Sequence, residues 1–495
     1  MYRDKSIQRI SSDIDWDLVV IGGGAMGLGC AMESAQRGYK TLLLEANDFA
    51  SGTSSRSSKM IHGGLRYLRQ LDIAMVRQSL KERGHLLRHA SNWVKEQRII
   101  IPLYKRQELV TYSIGLFFYD LLAGRDNCQS SKLLNLQEIK DSLPGLATEG
   151  IKGGVEYSDG LFDDARLAIG LAHASSAMGA TVANYMPVDS LMKTKSKSGQ
   201  DKLIGVIATD KETATSYEIK AKKIINAAGT FTDTIINLDQ PQESHKQVIS
   251  QGSHIVLPAE VFPATKGMLI PQTEDGRLMF CLPWHGRILM GTTDIQMQKA
   301  SWQPKPQQDE IDFILENSQS YFQHKLQKGD ILSSFAGQRA LISGSVSSKE
   351  LSRTHKIIRS SSGLISVLGG KWTTYRCAAV DAVNQAWGKD TNKSHQSILN
   401  DFSQGALEDD SSQFIHPNLP YRIKQIERAV KHEMVVNLED LLARRTRALF
   451  LDAKAAVACA DDVARIMAQI MGKDSQWISS ELSSFQESVK QYLPQ

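Results

Sequence analysis

The sequence has little cysteine, and its five cysteines lie far apart. None forms a Cys-x-x-Cys pair, so neither a disulfide framework nor a zinc site is expected, and we interpret all five as buried thiols in a reducing compartment. Only 13 of the 495 residues are proline and 23% are charged, which excludes collagen-like and disordered chains. The composition is globular, and the length predicts about two or three domains.

Long hydrophobic runs and a large excess of one charge are also absent. The chain carries 58 basic and 54 acidic side chains, so its formal charge of +4 gives no reason to expect a nucleic-acid partner. No stretch of about 18 apolar residues predicts a membrane span, and residues 1–10 lack the apolar run of a secretion signal. We therefore expect a cytoplasmic location, with attachment to a membrane surface left open.

What is present near the N-terminus is a β-α-β pattern. The apolar run 17–21 predicts a buried parallel strand. It leads into a glycine loop, residues 22–27, with the pattern Gly-x-Gly-x-x-Gly. A helix is predicted from there to Gly38, and a second strand, 41–44, ends at Glu45.

Each residue type in this pattern has a use in dinucleotide binding. Gly22 allows a tight turn, Gly24 lets backbone N–H groups approach a pyrophosphate, and Gly27 lets the helix pack against the strand. Glu45 lies where a carboxylate accepts hydrogen bonds from a ribose diol and repels a 2′-phosphate. The pattern predicts an NAD or FAD site and disfavours NADP.

A serine-rich stretch, residues 48–68, follows. A flexible linker is the alternative interpretation, but Ile61, Leu65 and Leu68 recur at helical spacing, and hydroxyls and amides here suit phosphate and ring oxygens. Together with the glycine loop, this stretch resembles the FAD-dependent glycerol-3-phosphate dehydrogenases. The resemblance covers nearly the whole chain, through residues 117–125, 156–159, 163–167, 225–229, 252–256, 283–284, 291–294, 337–339, 352–353 and 369–376. It departs from the family pattern at Met26, Phe231, Ala340 and Trp372.

The resemblance implies an α/β fold with three parts. These are an FAD-binding Rossmann-like domain of the glutathione-reductase and D-amino-acid-oxidase type, an interleaved antiparallel β substrate domain, and a C-terminal α-helical domain. The expected ranges are 13–97, 150–240 and 354–390 for the FAD domain, 98–149 and 241–353 for the substrate or cap domain, and 391–495 for the helical domain. The implied cofactor is FAD, with no metal.

The family pattern also implies which residues bind the cofactor. They are Gly22, Gly24, Gly27, Glu45, Thr53, Ser54, Ser55, Ser58, Gly229, Gly370, Lys371 and Thr373. Two of the segments have a physical rationale of their own, because 224–229 and 364–370 each predict a buried strand that ends in small residues, where backbone can approach a ligand.

For the substrate, the resemblance implies a phosphorylated polyol. Arg66, Arg353 and Lys371 would hold its phosphate, and Tyr67 would donate a further hydrogen bond. His254 would be the general base on the hydroxyl. The implied role of Arg339 is to stabilise developing negative charge. Without the resemblance, a histidine in an apolar run would be interpreted as a core residue.

The implied reaction is oxidation of sn-glycerol 3-phosphate to dihydroxyacetone phosphate, with hydride transfer to FAD and electrons passed to a quinone. Oxygen as the acceptor, an amino or hydroxy acid as the substrate, and a catalytically silent flavin protein are the alternatives. Residues 98–125 mix apolar and basic side chains, which suits either a lipid interface or an ordinary buried helix. The implied partners are a membrane surface, at the cytoplasmic face, and a second copy of the chain in a homodimer.

The C-terminal part has helical spacing. Asn437 is predicted to cap a helix whose first turn contains Glu439 and Asp440. Residues 441–447, with three arginines, also match the family. A solvated basic helix face is the alternative interpretation, and we expect no catalytic part for them.

Overall fold

The computed structural model describes residues 1–12, 14–64, 72–241, 246–343, 355–389 and 412–494. Its strands are β1 (Trp16–Ile21), β2 (Thr41–Leu44), β3 (Met60–Ile61), β4 (Val94–Leu103), β5 (Lys132–Leu134), β6 (Gly153–Phe162), β7 (Thr181–Ala183), β8 (Val188–Lys195), β9 (Asp201–Thr209), β10 (Ser216–Asn226), β11 (Gln247–Pro258), β12 (Gly267–Ile270), β13 (Met279–Trp284), β14 (Arg287–Gly291), β15 (Ile295–Met297), β16 (Ser333–Ile342), β17 (His355–Arg359) and β18 (Ile365–Gly369).

The α-helices fall between the strands and dominate the C-terminal part. They are α1 (Arg3–Ser11), α2 (Ala25–Gln36), α3 (Ile73–His89), α4 (Arg106–Ala123), α5 (Leu136–Ser142), α6 (Asp164–Ala177), α7 (Thr232–Asp239), α8 (Gln308–Ser318), α9 (Tyr375–Trp387), α10 (Ile423–His432), α11 (Ala448–Leu451), α12 (Ala453–Ala458), α13 (Ala460–Met471) and α14 (Ser475–Val489).

The first sheet has a parallel centre. Its strand order is β17-β18-β10-β1-β2-β7, in which β1 pairs in parallel with β10 and β2, and β10 with β18. Every residue of β2 is buried, as expected for a strand covered on both faces. The predicted strands 17–21 and 41–44 and the helix between them are confirmed. Because the strands run in parallel, their carboxyl ends meet at one edge, where a ligand site forms.

Two antiparallel strands extend the first sheet. The first half of β10 pairs with β9, and β9 pairs with β8. The stretch 193–202 is polar, and its composition predicts a hairpin or loop tip. It contains the turn of this β8–β9 hairpin, between Lys195 and Asp201.

The second sheet is mainly antiparallel. Its order is β15-β11-β14-β13-β12-β4-β6-β3, with β16 beside β11 and β5 beside β6. Short strand-like runs separated by glycine and proline predict strands at 277–282 and 287–290. Strand β14 agrees closely, whereas β13 begins two residues later, at Met279. The predicted domain boundaries stay a prediction. Strands β3 and β6 fall inside ranges predicted for the FAD domain, yet they pair within the second sheet.

The C-terminal helices pack directly on the second sheet. Their apolar core, with Leu441 and Phe450, is continuous with Phe335 of β16 and Trp284 of β13. The segment just before α11 contacts the residues that follow β2, where Arg445 donates to the Asp48 carboxylate at 2.8 Å.

Two local predictions need correction or completion. Cys30, Cys281 and Cys459 are buried, but Cys128 and Cys377 are partly exposed, so the prediction of five buried thiols is wrong. The stretch 98–125 forms most of β4 and then α4, whose apolar residues are exposed on one side, so the buried-helix alternative fails for that face. Among the described residues, no helix is long and apolar enough to cross a membrane.

Candidate active site

The glycine loop lies between β1, α2 and the end of β10. Gly22 has φ +110°, and a Cβ there would lie 2.6 Å from the Ala227 carbonyl oxygen. A Cβ on Gly27 would lie only 1.8 Å from the Gly22 carbonyl oxygen. Any side chain at these two positions would therefore collide with backbone, at Gly22 with the end of β10 and at Gly27 with the turn after β1. Glycine here allows the tight turn and the close packing of α2 on it, which is the geometry of a dinucleotide-binding loop.

The two sides of the loop are tied to other predicted residues. The Ser54 hydroxyl accepts a hydrogen bond of 3.0 Å from the Ala25 N–H, at the first residue of α2. The Glu45 carboxylate accepts from the Gly23 N–H at 2.6 Å and from the Asn47 N–H at 2.8 Å. Burial raises the pKa of Glu45. Glu45 thus stands at the end of β2, against the glycine loop, where a ribose diol would lie.

Residues 51–59, which we call the serine loop, run from the glycine loop toward β11. Thr53 and Ser55 belong to a short 3₁₀ turn, and the Thr53 hydroxyl donates to the Gln338 carbonyl oxygen at 2.5 Å. Lys59, at the other end, has φ +58°, an uncommon conformation for a residue with a side chain. Ser58 lies next to it and contacts His254.

His254 lies in the middle of β11 and is 2% exposed. Its Nε2 is 2.9 Å from the Ser58 Oγ, and its ring stacks on Phe335 with centroids 4.9 Å apart. Among the described residues, its buried Nδ1 has no hydrogen-bond partner. Burial, and then the charges of Lys59 and Arg339, hold the pKa of His254 well below its usual value, so the imidazole is neutral at pH 7.

Arg339 lies on β16, beside β11. Its Nη2 donates to the Thr292 hydroxyl at 3.1 Å, and its Nη1 is 3.6 Å from the Asp294 carboxylate. A Cβ on Gly252 would lie 2.4 Å from this Nη2, so only glycine at that position leaves room for the guanidinium. The structure therefore brings the predicted base and the predicted charge-stabilising residue into one electrostatic environment.

The remaining predicted cofactor residues lie at the edge where parallel strands end. Gly229 follows β10 with φ +60°, and Gly370 follows β18 with φ +91°. Thr373 is buried in the 3₁₀ turn before α9, and the Lys371 Nζ donates to the Ser79 hydroxyl of α3 at 2.9 Å. These residues flank the glycine loop rather than His254.

Three departures from the family pattern have local partners. A Cβ on Gly370 would lie 2.5 Å from the Met26 Cε, so Met26 covers that turn. The indole of Trp372 donates to the Ser54 carbonyl oxygen at 2.9 Å. Phe231 stacks on Trp302 with ring centroids 3.7 Å apart. Arg66, Tyr67 and Arg353, predicted to bind substrate, lie outside the described residues.

Sequence reasoning missed a buried ion cluster behind the serine loop. The Lys59 Nζ donates to the Asp164 carboxylate and to the Ser55 carbonyl oxygen, both at 2.7 Å. The Arg447 guanidinium contacts the same two groups from the C-terminal part. Burial lowers the pKa of Lys59 to about 7 despite the opposing charge of Asp164. Lys59 and Asp164 stand inside family-matching motifs, which was the available signal, but only the fold brings them together.

The alternative interpretation of residues 441–447, a solvated basic helix face, fails. Arg444, Arg445 and Arg447 are 3%, 4% and 0% exposed. Arg444 and Arg445 both bind the carboxylate of Asp48, which is also buried. The predicted Asn437 cap is present, since its side-chain oxygen accepts from the Asp440 N–H at 2.9 Å, but residues Asp440–Arg445 form a π-helix instead of an α-helix.

These residues fit an FAD. The tight turn at Gly22 and Gly27 places the N-terminus of α2 beside the carboxylate of Glu45, and together these offer the donors and the acceptor that an ADP moiety needs. At the far end of the serine loop, Ser58 contacts His254 of β11, whose buried Nδ1 has no hydrogen-bond partner within the described part of the chain. The arrangement is that of a dinucleotide-binding loop connected by the serine loop to a buried, neutral imidazole.

Comparisons with known proteins agree with this geometry. The model of the family described as FAD dependent oxidoreductase matches residues 17–376. A second family model, described as the C-terminal domain of alpha-glycerophosphate oxidase, matches residues 383–477. The chain therefore has the fold and the family signature of an FAD-dependent oxidoreductase.

Two relatives and one solved structure show which FAD-dependent oxidoreductases the chain is similar to. The mitochondrial glycerol-3-phosphate dehydrogenase of Bos taurus is 33% identical over 99% of this chain and 75% of its own length. That of Schizosaccharomyces pombe is 32% identical over 95% of this chain and 87% of its own length. A structure of the glycerol-3-phosphate dehydrogenase from Bacillus halodurans complexed with FAD has a TM-score of 0.77 and 28% identity, covering 99% of this chain and 97% of the other. The chain belongs to the family of FAD-dependent glycerol-3-phosphate dehydrogenases.

Proposed function

We propose that this protein oxidises sn-glycerol 3-phosphate to dihydroxyacetone phosphate, with FAD as the hydride acceptor and a quinone as the final acceptor. The observation that carries the proposal is the environment of His254. A buried, neutral imidazole, one nitrogen of which has no partner among the residues that the structure describes, lies within the electrostatic reach of Arg339. That is what removal of a hydroxyl proton requires.

The reaction divides between carbon and oxygen. FAD, when bound, supplies the acceptor for the hydride that leaves the secondary carbon. The hydroxyl proton goes to the free nitrogen of His254, the O–H electron pair becomes the second bond of the ketone, and negative charge developing on this oxygen is stabilised by Arg339. Ser58 holds the other imidazole nitrogen, which orients the ring.

The phosphate of the substrate needs fixed positive charge. A phosphate monoester carries about −1.5 to −2 charges near pH 7. We assign its binding to Arg66, Arg353 and Lys371, with Tyr67 as a further donor. Lys371 begins the turn before α9, and its Nζ reaches α3, the helix that follows the segment containing Arg66 and Tyr67.

A membrane surface fits helix α4. The side chains of Val110, Ile114, Phe117 and Leu121 recur at helical spacing and are 55–64% exposed. The basic residues Lys105, Arg106 and Arg125 flank this face and are exposed. An apolar face bordered by positive charge is suited to a bilayer with anionic lipids, from which a quinone would be drawn. We propose that α4 attaches the protein peripherally to the cytoplasmic face of the membrane.

Oxygen is the competing acceptor. The C-terminal match is to a domain named for alpha-glycerophosphate oxidase, so an oxidase must be tested beside the dehydrogenase. The two functions share substrate and cofactor and differ only in the reoxidation of the flavin.

The test is anaerobic spectroscopy of the purified holoprotein. Glycerol 3-phosphate should bleach the flavin absorption, whereas glycine and D-amino acids should not. Quinone should then restore the colour faster than oxygen does; the reverse order would favour the oxidase. His254→Asn should retain FAD and lose about 10²–10⁴-fold in the rate of bleaching. The matched control is His324→Asn, since His324 pairs with Asp330 at the surface. Bleaching of His254→Asn at the wild-type rate would refute the base assignment.

A further inference from the structure

The arginine segment, residues 438–447, has no part in the proposed chemistry, yet its charges are buried. Arg447 is 0% exposed, and it lies two residues after the end of the π-helix Asp440–Arg445. Burying a guanidinium is unfavourable unless each charge finds a partner. The partners of Arg447 therefore indicate its role.

Arg447 bridges two elements of the FAD-binding part. Its Nη2 donates to the Ser55 carbonyl oxygen at 2.8 Å and to the Asp164 Oδ1 at 3.2 Å. Asp164 is the first residue of α6, and its carboxylate is fully buried. Arg447 thus joins the serine loop to α6 from a distant part of the chain.

The other oxygen of the same carboxylate binds the end of the serine loop. Asp164 Oδ2 accepts from the Ser57 N–H at 3.1 Å, from the Ser57 hydroxyl at 2.7 Å and from the Lys59 Nζ at 2.7 Å. The aromatic rings of Trp284, Phe335 and Phe450 surround the Lys59 ammonium at 4.9–5.4 Å. One carboxylate therefore organises the loop, and Arg447 and Lys59 balance its charge.

Two predicted site contacts depend on where this loop lies. At one end, the Ser54 hydroxyl faces the Ala25 N–H of the glycine loop. At the other end, the Ser58 hydroxyl holds Nε2 of His254. A displacement of the loop would change both contacts together. It would also disturb the hydrogen bond that the Thr53 hydroxyl donates to the Gln338 carbonyl oxygen of β16, next to Arg339.

We propose that Arg447 is a positioning residue: from the C-terminal domain, and through Asp164, it holds the serine loop so that Ser58 orients His254 and Ser54 faces the cofactor phosphates. The assignment of His254 as the base rests on the proposed function. The effect on the cofactor does not, because it concerns only how the loop meets FAD.

The test compares Arg447→Lys and Arg447→Met with the wild-type holoprotein. Lysine keeps the charge but loses the planar fork that reaches two acceptors. We expect Arg447→Lys to retain FAD with an altered visible absorption band. At saturating glycerol 3-phosphate, its flavin should be reduced about 10-fold more slowly, because a misplacement of about 1 Å can lower a rate by up to about 100-fold. KM should stay near the wild-type value, since no phosphate ligand is touched. Arg447→Met should change the same quantities in the same direction and further, and it should release FAD more readily on gel filtration.

The control is Arg465→Lys, which alters an exposed pair with Asp461 on α13 of the same domain. It should match the wild type in spectrum and rate. If Arg447→Lys melts at a lower temperature but keeps the wild-type spectrum and reduction rate, Arg447 is structural only and the proposal is overturned. A raised KM with an unchanged maximal rate would overturn it as well. If glycerol 3-phosphate fails to reduce even the wild-type flavin, the proposed function fails, while the absorption band and FAD retention still decide the role of Arg447.

Discussion

Helix α4 and the arginine segment depart in opposite ways from the usual pattern of buried apolar and exposed charged side chains. In α4, large apolar residues such as Phe117 and Leu121 are exposed, both at 64%. In the arginine segment, Arg444, Arg445 and Arg447 are buried. Exposed apolar surface and buried charge are both unfavourable in isolation.

The difference between the two regions lies in their partners. Each buried arginine finds its partner inside the molecule, at Asp48 or Asp164. The described residues cover the apolar face of α4 only partly, and we propose that a surface outside the chain covers the rest. A buried charge therefore points to internal positioning, and an exposed apolar face points to an external surface. Stability measurements can separate the two cases.

The largest expected effect is at Asp48. Arg445→Met removes one of the two guanidinium groups that bind this fully buried carboxylate. Breaking a buried ion pair destabilises a protein by about 3–5 kcal/mol. The control is Lys490→Met, which breaks an exposed pair with Glu487 and should cost about 0–1 kcal/mol. Denaturant unfolding checks both, and equal losses would show that burial does not distinguish the two pairs.

A smaller effect on the free energy of unfolding, which depends on pH, is expected at Glu433. Its carboxylate accepts two hydrogen bonds from the Arg166 guanidinium, at 2.6 and 2.9 Å. Burial raises the pKa of Glu433, but the charge and hydrogen bonds of Arg166, together with the charges of Arg445 and His173, lower the pKa to about 2, from an ordinary value of 4.5. Because the folded value is depressed, the pair stabilises the protein by about 3 kcal/mol above pH 4.5, and this contribution is lost as the pH falls toward 2.

Glu433→Gln tests whether the stabilisation from this carboxylate is lost at low pH. The difference in unfolding free energy between the variant and the wild type should be full at pH 7 and should shrink between pH 4.5 and 2. Glu427→Gln, which alters a surface pair with Lys431 on the same helix α10, should show little difference at any pH. A pH-independent difference for Glu433→Gln would contradict the assignment of its charge to the folded state.

The sequence predicted the parts of the molecule whose structure is decided locally. The strand, glycine loop and helix around Gly22 follow from apolar runs and backbone freedom within about 30 residues. The hairpin at 193–202 was predictable for the same reason. The buried charges were not, because the residue that neutralises Arg447 stands at position 164, and no local pattern links the two. Helical spacing with many arginines predicts a solvated face, and only tertiary packing reverses this interpretation.

For the candidate site, the family resemblance supplied residues, and the structure supplied their neighbours. His254 and Arg339 were named from motifs, but the contact of His254 with Ser58 required β11 to lie against the serine loop. Lys59 was visible only as a charge among serines. Its ion pair with Asp164 joins two motifs that are far apart in the chain.

The smallest effect on stability, and the sharpest test of an external partner, is expected at α4. Replacing Phe117 and Leu121 together by serine removes exposed apolar surface, so the free energy of unfolding should change by no more than about 0.5 kcal/mol. Wild-type protein should float with vesicles of phosphatidylcholine and phosphatidylglycerol, and less so as salt screens the basic residues around α4. The double variant should not float with the vesicles. Val457→Ser, at another exposed apolar side chain on α12, should float like the wild type. If the double variant floats normally, or if it converts a lipid-free dimer into a monomer, then α4 does not bind lipid, and in the second case it covers another copy of the chain.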